Sequence, residues 1–139
     1  MGLVYADIEL INSGDLFLED DGYIKPEAVR RVNVRAMVDT GAYYLAINEN
    51  VRNQLGIKTK EKSFATLADG QEIPIDIVGP IEIRFKNRRT SVDAMVLPGN
   101  AEVLLGAIPM EGMDVVINPL KQTIEVNPEH PYVPNFSLK

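Results

Sequence analysis

Apolar side chains recur at every second residue through much of this chain, and that period leaves few architectures open. Val32, Val34, Ala36 and Val38 fall on one face of an extended segment, with Arg31, Asn33 and Arg35 on the other. A helix of 3.6 residues per turn would scatter these side chains, whereas a strand sends successive residues to opposite faces. The same period runs through Ile73, Ile75 and Ile77, through Ile81, Ile83 and Phe85, through Val92, Ala94 and Val96, and through Ile124 and Val126. Half-buried strands at this spacing, parted by turn residues, predict an all-β sandwich or barrel. Asp69-Gly70 marks one tight hairpin, because the pair tolerates the positive φ angles of a two-residue turn, and the polar run Lys86-Asn87-Arg88 marks another.

One or two short helices fit between these strands. Asn48 suits the N-cap of the first, which buries Val51 and Leu55 four residues apart and stops at Gly56, a residue able to take the left-handed closing conformation. The second starts near Pro109 and ends about Gly112. The stretch from Asn12 to Glu27, with Gly14, Gly22, Pro26 and several acids, reads as a surface excursion. From about residue 127, Pro128, Pro131 and Pro134 remove backbone donors and keep the tail out of any central strand. At 139 residues with 45% hydrophobic content, residues 1–139 suit a single domain whose core needs no staple.

Composition narrows the chemistry. The absence of cysteine excludes disulfides, thiolate metal sites and a cysteine nucleophile, and a lone histidine, His130, excludes a histidine-rich zinc site. No metal or cofactor is expected. With 14 Lys and Arg against 20 Asp and Glu, the net charge of -6 repels phosphate backbones and anionic membrane surfaces. Neither nucleic acid nor membrane is an expected partner. The opening run from Met1 to Glu9 places Asp7 and Glu9 where a signal peptide needs apolar residues, and it reads as a first strand. Gly2 is followed by Ala6 where an acylation pattern requires Ser or Thr. No segment approaches the ~20 apolar residues of a membrane span, so a cytoplasmic location is expected.

The segment Ala36-Met37-Val38-Asp39-Thr40-Gly41-Ala42 carries the chemistry. Here an apolar strand ends abruptly in an acid, a hydroxyl and a glycine. A carboxylate beside an apolar strand is costly unless hydrogen bonds meet it or its protonation is used. Thr40 is able to bond locally, and Gly41 lets the backbone approach until its N–H reaches the carboxylate. An Asp-Thr-Gly triplet arises by chance in roughly 3% of chains this long, and its plain reading is a strand-end turn with an Asx cap. A second element lies downstream: Val103-Leu104-Leu105-Gly106, another apolar strand ending in glycine, followed by the helix near Pro109.

This combination resembles the retropepsins and their small bacterial relatives, the single-lobed, retroviral-type aspartic proteases of clan AA, over a span from about Arg31 to Val126. The resemblance implies a single-lobed acid-protease β-barrel with Asp39 as the catalytic residue and Thr40, Gly41 and Ala42 completing the active-site loop. It implies a flap from about Ser63 to Ile75 with Ala68, Asp69 and Gly70 at its tip. Leu104, Leu105 and Gly106 match the strand that supports the loop and the substrate pocket. Two differences stand out: Tyr43 and Tyr44 follow Ala42 where viral members usually carry short or acidic residues, and the flap holds one glycine where viral flaps hold several. Aspartic peptidase chemistry needs two carboxylates sharing a proton. One such loop per chain implies a homodimer acting on an extended peptide or protein substrate.

Other candidates read more simply. Asp93 and Asp114 fit surface or turn acids, His130 fits a tail residue, and Arg84, Lys86, Arg88 and Arg89 fit a solvated turn. The same fold and dimer also suit a non-catalytic peptide-binding or assembly module. A carboxylate glycosidase would need a second positioned acid on the chain, and none stands out.

Overall fold

A computed structural model describes residues 3–138. Met1, Gly2 and Lys139 lie outside the described residues, and the acylation reading at Gly2 lies there with them. The strands are β1 (Val4–Asn12), β2 (Arg31–Val38), β3 (Leu45–Asn48), β4 (Thr59–Thr66), β5 (Glu72–Phe85), β6 (Arg88–Leu97), β7 (Leu104–Leu105), β8 (Val115–Asn118) and β9 (Thr123–Val126). Three short helices join them: α1 (Ser13–Asp20), α2 (Glu49–Leu55) and α3 (Ala107–Met113).

Seven strands form one sheet in the order β1-β2-β7-β3-β6-β5-β4, and β1 also pairs with β5. That extra pairing closes the sheet into a barrel and leaves β4 outside the ring as an edge. β8 and β9 form a separate two-stranded sheet. Leu10, Leu45, Ile47, Leu55, Val78, Ile81, Ile83, Leu105 and Met113 are fully buried and fill the interior. Each contributes on the order of 1.5–3 kcal/mol through removal from water. The alternation in β2 has its expected result: Ala36 is buried, Val32, Val34 and Val38 are half-buried, and Arg31, Asn33 and Arg35 are exposed.

The two expected strands at Ile73–Ile77 and Ile81–Phe85 are one strand, β5, with a register irregularity against β6 between Val78 and Ile81. One edge of β5 pairs with β6 along most of its length. Its other edge serves β4 in the first half and β1 in the second. Gly79 lies at the change-over, where a Cβ would stand 3.0 Å from the Cα of Asp93. A side chain there would hold β5 and β6 apart.

Asn48 and Gly56 behave as their residue types dictate. The Asn48 side chain accepts from the Val51 N–H at 2.9 Å, and Gly56 closes α2 at φ +57°. Asn48 Nδ2 also donates to the carbonyl of Ala101 at 2.9 Å, tying α2 to the segment before β7. Asn48→Ala loses both the cap and this tie, so a loss of about 1–2 kcal/mol in urea unfolding is expected. A change below a few tenths of a kcal/mol would remove the cap from the stability account.

The excursion after β1 is not irregular throughout. Asn12 caps α1 by accepting from the Asp15 N–H, and its Nδ2 donates to the carbonyl of Leu55. The side of α1 that faces inward presents Ser13 and Asp15, while Phe17 and Leu18 point outward. A helix buried on its polar side shows no apolar stripe in sequence. Arg30 holds it from across the excursion, with Nε 2.8 Å from Asp15 Oδ2 and Nη2 3.0 Å from Oδ1.

In the basic run at the β5–β6 turn, Lys86 and Arg89 are exposed as expected and Arg84 is half-buried, but Arg88 departs from expectation. Lys86 and Asn87 form the turn, with Phe85 opposite Arg88. The Arg88 side chain is 0% exposed, so it is not a solvated turn residue. Its Nη2 donates to the carbonyl of His130 and stands 4.0 Å from Asp114. Asp114, which closes α3 at φ +54°, in turn accepts from His130 Nδ1 at 2.7 Å, Asn127 Nδ2 at 3.1 Å and the Asn135 N–H at 2.9 Å. Asn87 Nδ2 reaches the carbonyl of Pro131 at 2.9 Å. These bonds strap the tail beyond β9 across the hairpin. His130 is a tail residue, as its proline neighbours suggest, yet Asp114 is the hub of a network and not a plain turn acid.

Candidate active site

The acid loop is built by one strand inserted between two others. β7 runs parallel to β2, with Met37 beside Leu104 and Val38 beside Leu105, and antiparallel to β3, with Leu45 beside Leu105. The chain leaving β2 must therefore loop over the end of β7 before it returns as β3. Asp39 begins that loop, and its N–H donates to the carbonyl of Leu105 at 3.0 Å.

Within the loop, the Gly41 N–H donates to Asp39 Oδ1 at 2.9 Å, and the Ala42 N–H donates to the carbonyl of Asp39 at 3.1 Å. A Cβ on residue 41 would lie 3.2 Å from the same carboxylate oxygen. Glycine at this position therefore leaves the carboxylate room beside its donor. Asp39 is half-buried, whereas Thr40 and Gly41 are exposed at the apex. The carboxylate is oriented by the backbone and open to solvent on its other side.

The far arm of the loop is clamped from the segment after β7. The Gly106 N–H donates to the carbonyl of Tyr44 at 3.1 Å, the Ala107 N–H to that of Ala42 at 2.9 Å, and the Ile108 N–H to that of Tyr43 at 2.9 Å. A Cβ on Gly106 would stand 2.5 Å from the Tyr44 carbonyl oxygen and 2.6 Å from the Tyr43 carbonyl carbon, both backbone atoms. Only glycine permits this approach. The Leu105 carbonyl accepts the Asp39 N–H directly, and Leu104 pairs with Met37, two residues before Asp39. The donors on Ala107 and Ile108 were not legible, because backbone N–H groups leave no mark in residue type.

The flap hairpin is longer than its sequence outline. β4 and β5 pair from Thr59 to Val78, and the turn spans Leu67 to Gln71 instead of two residues. The Leu67 N–H donates to the carbonyl of Gln71 at 2.8 Å, and Asp69 Oδ1 accepts from the Gln71 N–H at 2.9 Å. Gly70 has φ +87°, and Ala68, Asp69 and Gly70 are all exposed. The tip makes these hydrogen bonds within its own turn, apart from the acid loop.

Tyr43 and Tyr44 are 66% and 53% exposed, with their rings edge-on at 6.2 Å. Asp93 pairs with Lys60 at 3.1 Å on the surface, as a plain surface acid would. Among the described residues no group of three or more His, Asp or Glu is arranged to hold a metal ion, and no helix is long and apolar enough to cross a membrane.

A closed barrel whose inserted strand clamps an Asp-Thr-Gly loop defines the retropepsin-like fold. The family model described as "gag-polyprotein putative aspartyl protease" matches residues 28–110, a span that holds the acid loop, the flap and β7. The chain belongs to this family of retroviral-type aspartyl proteases. A solved structure, the retroviral protease-like domain of Ddi1 from Leishmania major, has the same fold at a TM-score of 0.57 and 14% identity, covering 92% of this chain and 90% of that one. Comparison with curated proteins gave no match.

Proposed function

We propose that the chain is one half of an aspartic endopeptidase that works as a symmetric homodimer. The observation that carries this reading is the Asp39 carboxylate, held by the Gly41 N–H at the apex of a clamped and exposed loop. A C2 axis through that apex brings a second Asp39 beside the first. Two adjacent carboxylates cannot both ionise readily, so they share one proton. The ionised member takes a proton from a water, which attacks the scissile carbonyl, while the protonated member delivers its proton to the carbonyl oxygen. No covalent intermediate forms. Thr40, exposed beside Asp39, grips the partner's loop across the axis in this reading. The flap, with Ala68, Asp69 and Gly70 at its tip, closes over a peptide in extended form, whose main chain adds as a strand.

Purified protein is expected to cleave denatured casein at acid to neutral pH, and Asp39→Asn is expected to abolish cleavage. The rate should trace a bell, its limbs set by the macroscopic pKa values of the pair. An optimum in the alkaline range would overturn the carboxylate mechanism. Intact casein at every pH, with peptide binding retained, would replace the enzyme by a peptide-binding or assembly module on the same fold.

A further inference from the structure

One face of the flap hairpin continues unbroken to the acid loop. Register sets Glu61 opposite Ile77 and Ser63 opposite Ile75, and Ile77 opposite Met95. Residues directly opposite share a face, so Glu61, Ile77 and Met95 form a row across β4, β5 and β6. β3 runs parallel to β6 with Leu45 beside Ala94, which sets Tyr44 next to Asp93 on that same side. The alternate residues Val78, Ala94 and Val96 are buried in the core behind it. A cleft of about 450 Å³ opens over the outward face, and Tyr44, Glu61, Ile75, Ile77, Asp93 and Met95 all line it.

The cleft has an apolar floor and an acidic rim. Ile75, Ile77 and Met95 make the floor, with Ile75 only 4% exposed. Asp93 at the rim is engaged by Lys60. The other cations of this neighbourhood, Arg52 and Lys62, are engaged by Glu49 and Asp76. Glu61 is exposed at the opposite side of the cleft, where an incoming group can reach it.

Resting on the peptidase reading, we infer that this cleft is a subsite for a basic side chain of the bound peptide, with Glu61 as its specificity-determining residue. A Lys or Arg lays its aliphatic stem along Ile77 and Met95 and keeps its charged head in water beside the Glu61 carboxylate. The Tyr44 ring at the inner end adds a surface that attracts cations. A purely apolar side chain would cover the floor but leave the rim charge without a partner, and an acidic one would be repelled by it. An exposed pair of this kind is weak, so the preference for a basic over an acidic residue should be about five-fold.

The test uses Asp39→Asn protein as a binder that does not cut, with a peptide series identical except for Lys, Leu or Glu at each position in turn. At one position Lys should bind about five-fold tighter than Glu, and the preference should fade at high salt. Glu61→Lys in the same background should invert that order, and Glu61→Gln should flatten it, with the Leu peptide changed less than about two-fold in both. An order unchanged by the Glu61 variants, no preference at any position, or no binding at all would each overturn the subsite. Binding with the expected order, but no cleavage by the Asp39 protein, would overturn the catalytic reading alone and leave the subsite standing.

Discussion

Mixing wild-type and Asp39→Asn chains at constant total concentration, with time for subunit exchange, is expected to give proteolysis that follows the square of the wild-type fraction. Each proposed site takes one Asp39 from each chain. A mixed pair then has a single ionisable acid and no shared proton, and losing one member of an acid–base pair removes on the order of 10²–10⁴-fold in rate. Asparagine is nearly isosteric, and its side-chain oxygen still accepts from the Gly41 N–H that holds Asp39 Oδ1 at 2.9 Å. The variant should therefore fold, pair and poison. At equal amounts about one quarter of the dimers are fully wild type, by random pairing across the C2 interface. Independent subunits would instead retain half the activity, a linear dependence on the wild-type fraction. Linearity despite demonstrated exchange would place both catalytic acids on one chain and end the dimeric reading.

Asp114→Ala is expected to cost about 3 kcal/mol, the largest stability effect of any single substitution outside the barrel core. The Arg88 side chain is fully buried, and two of its nitrogens, Nε and Nη1, have no hydrogen-bond partner among the described residues. Asp114 is its counter-charge, and stripping the partner from a buried ion is among the most destabilising single changes. The same substitution removes the acceptor for His130, Asn127 and the Asn135 N–H, so the tail beyond β9 should become protease-sensitive. Arg88→Met removes the buried charge itself, and the double variant should be less destabilised than the sum of the singles. Urea midpoints of the four proteins check this. A loss under about 0.5 kcal/mol in Asp114→Ala would show that Arg88 needs no counter-charge.

Acid provides an independent arm. The Asn135 N–H above all, then Asn127 and His130, hold the Asp114 carboxyl below the ordinary carboxylate range of about 4. A group lowered in the folded state stabilises above its unfolded pKa and loses that contribution as pH falls through the folded one. Arg30 lowers Asp15 in the same sense, and Arg52 lowers Asp76. Wild-type stability should thus fall on acidification below pH about 4, and Asp114→Ala should lose less over that interval.

The elements that sequence displayed well are those whose burial matches their period. β2, β6 and the second half of β5 face the core on one side and solvent on the other, so alternation reveals them. In the first half of β5, Ile75 and Ile77 alternate onto the outward cleft instead of the core. Asn48 and Gly56 reveal α2, because each stands where one residue type is strongly favoured. β3 was hidden for the opposite reason: Leu45, Ala46 and Ile47 are all buried, which erases the alternation. β4 was only partly outlined, since almost every residue in it is exposed. α1 was hidden because its inward residues are polar. In the candidate site, Asp39, Gly41 and Gly106 were legible as an acid and two glycines at strand ends. The clamp on Ala42 and Tyr43 was not, being made by main-chain groups. Arg88 misled because a hydrophilic run at a hairpin ordinarily faces water, whereas here the tail folds over it.

The insertion of β7 between β2 and β3 also sets an order of events. Asp39 is synthesised early, but the backbone partners that shape its loop come from Leu105 through Ile108, far downstream. A chain emerging from the ribosome can pair β1 with β2 and close the flap hairpin while its reactive segment is still unsupported. Contacts so distant in sequence form late, because the intervening loop must close first. A nascent or truncated chain ending short of residue 104 would carry the Asp-Thr-Gly triplet with only its internal Gly41 and Ala42 hydrogen bonds and without the downstream clamp. The topology thereby delays the clamped acid loop until β7 and the start of α3 have been made.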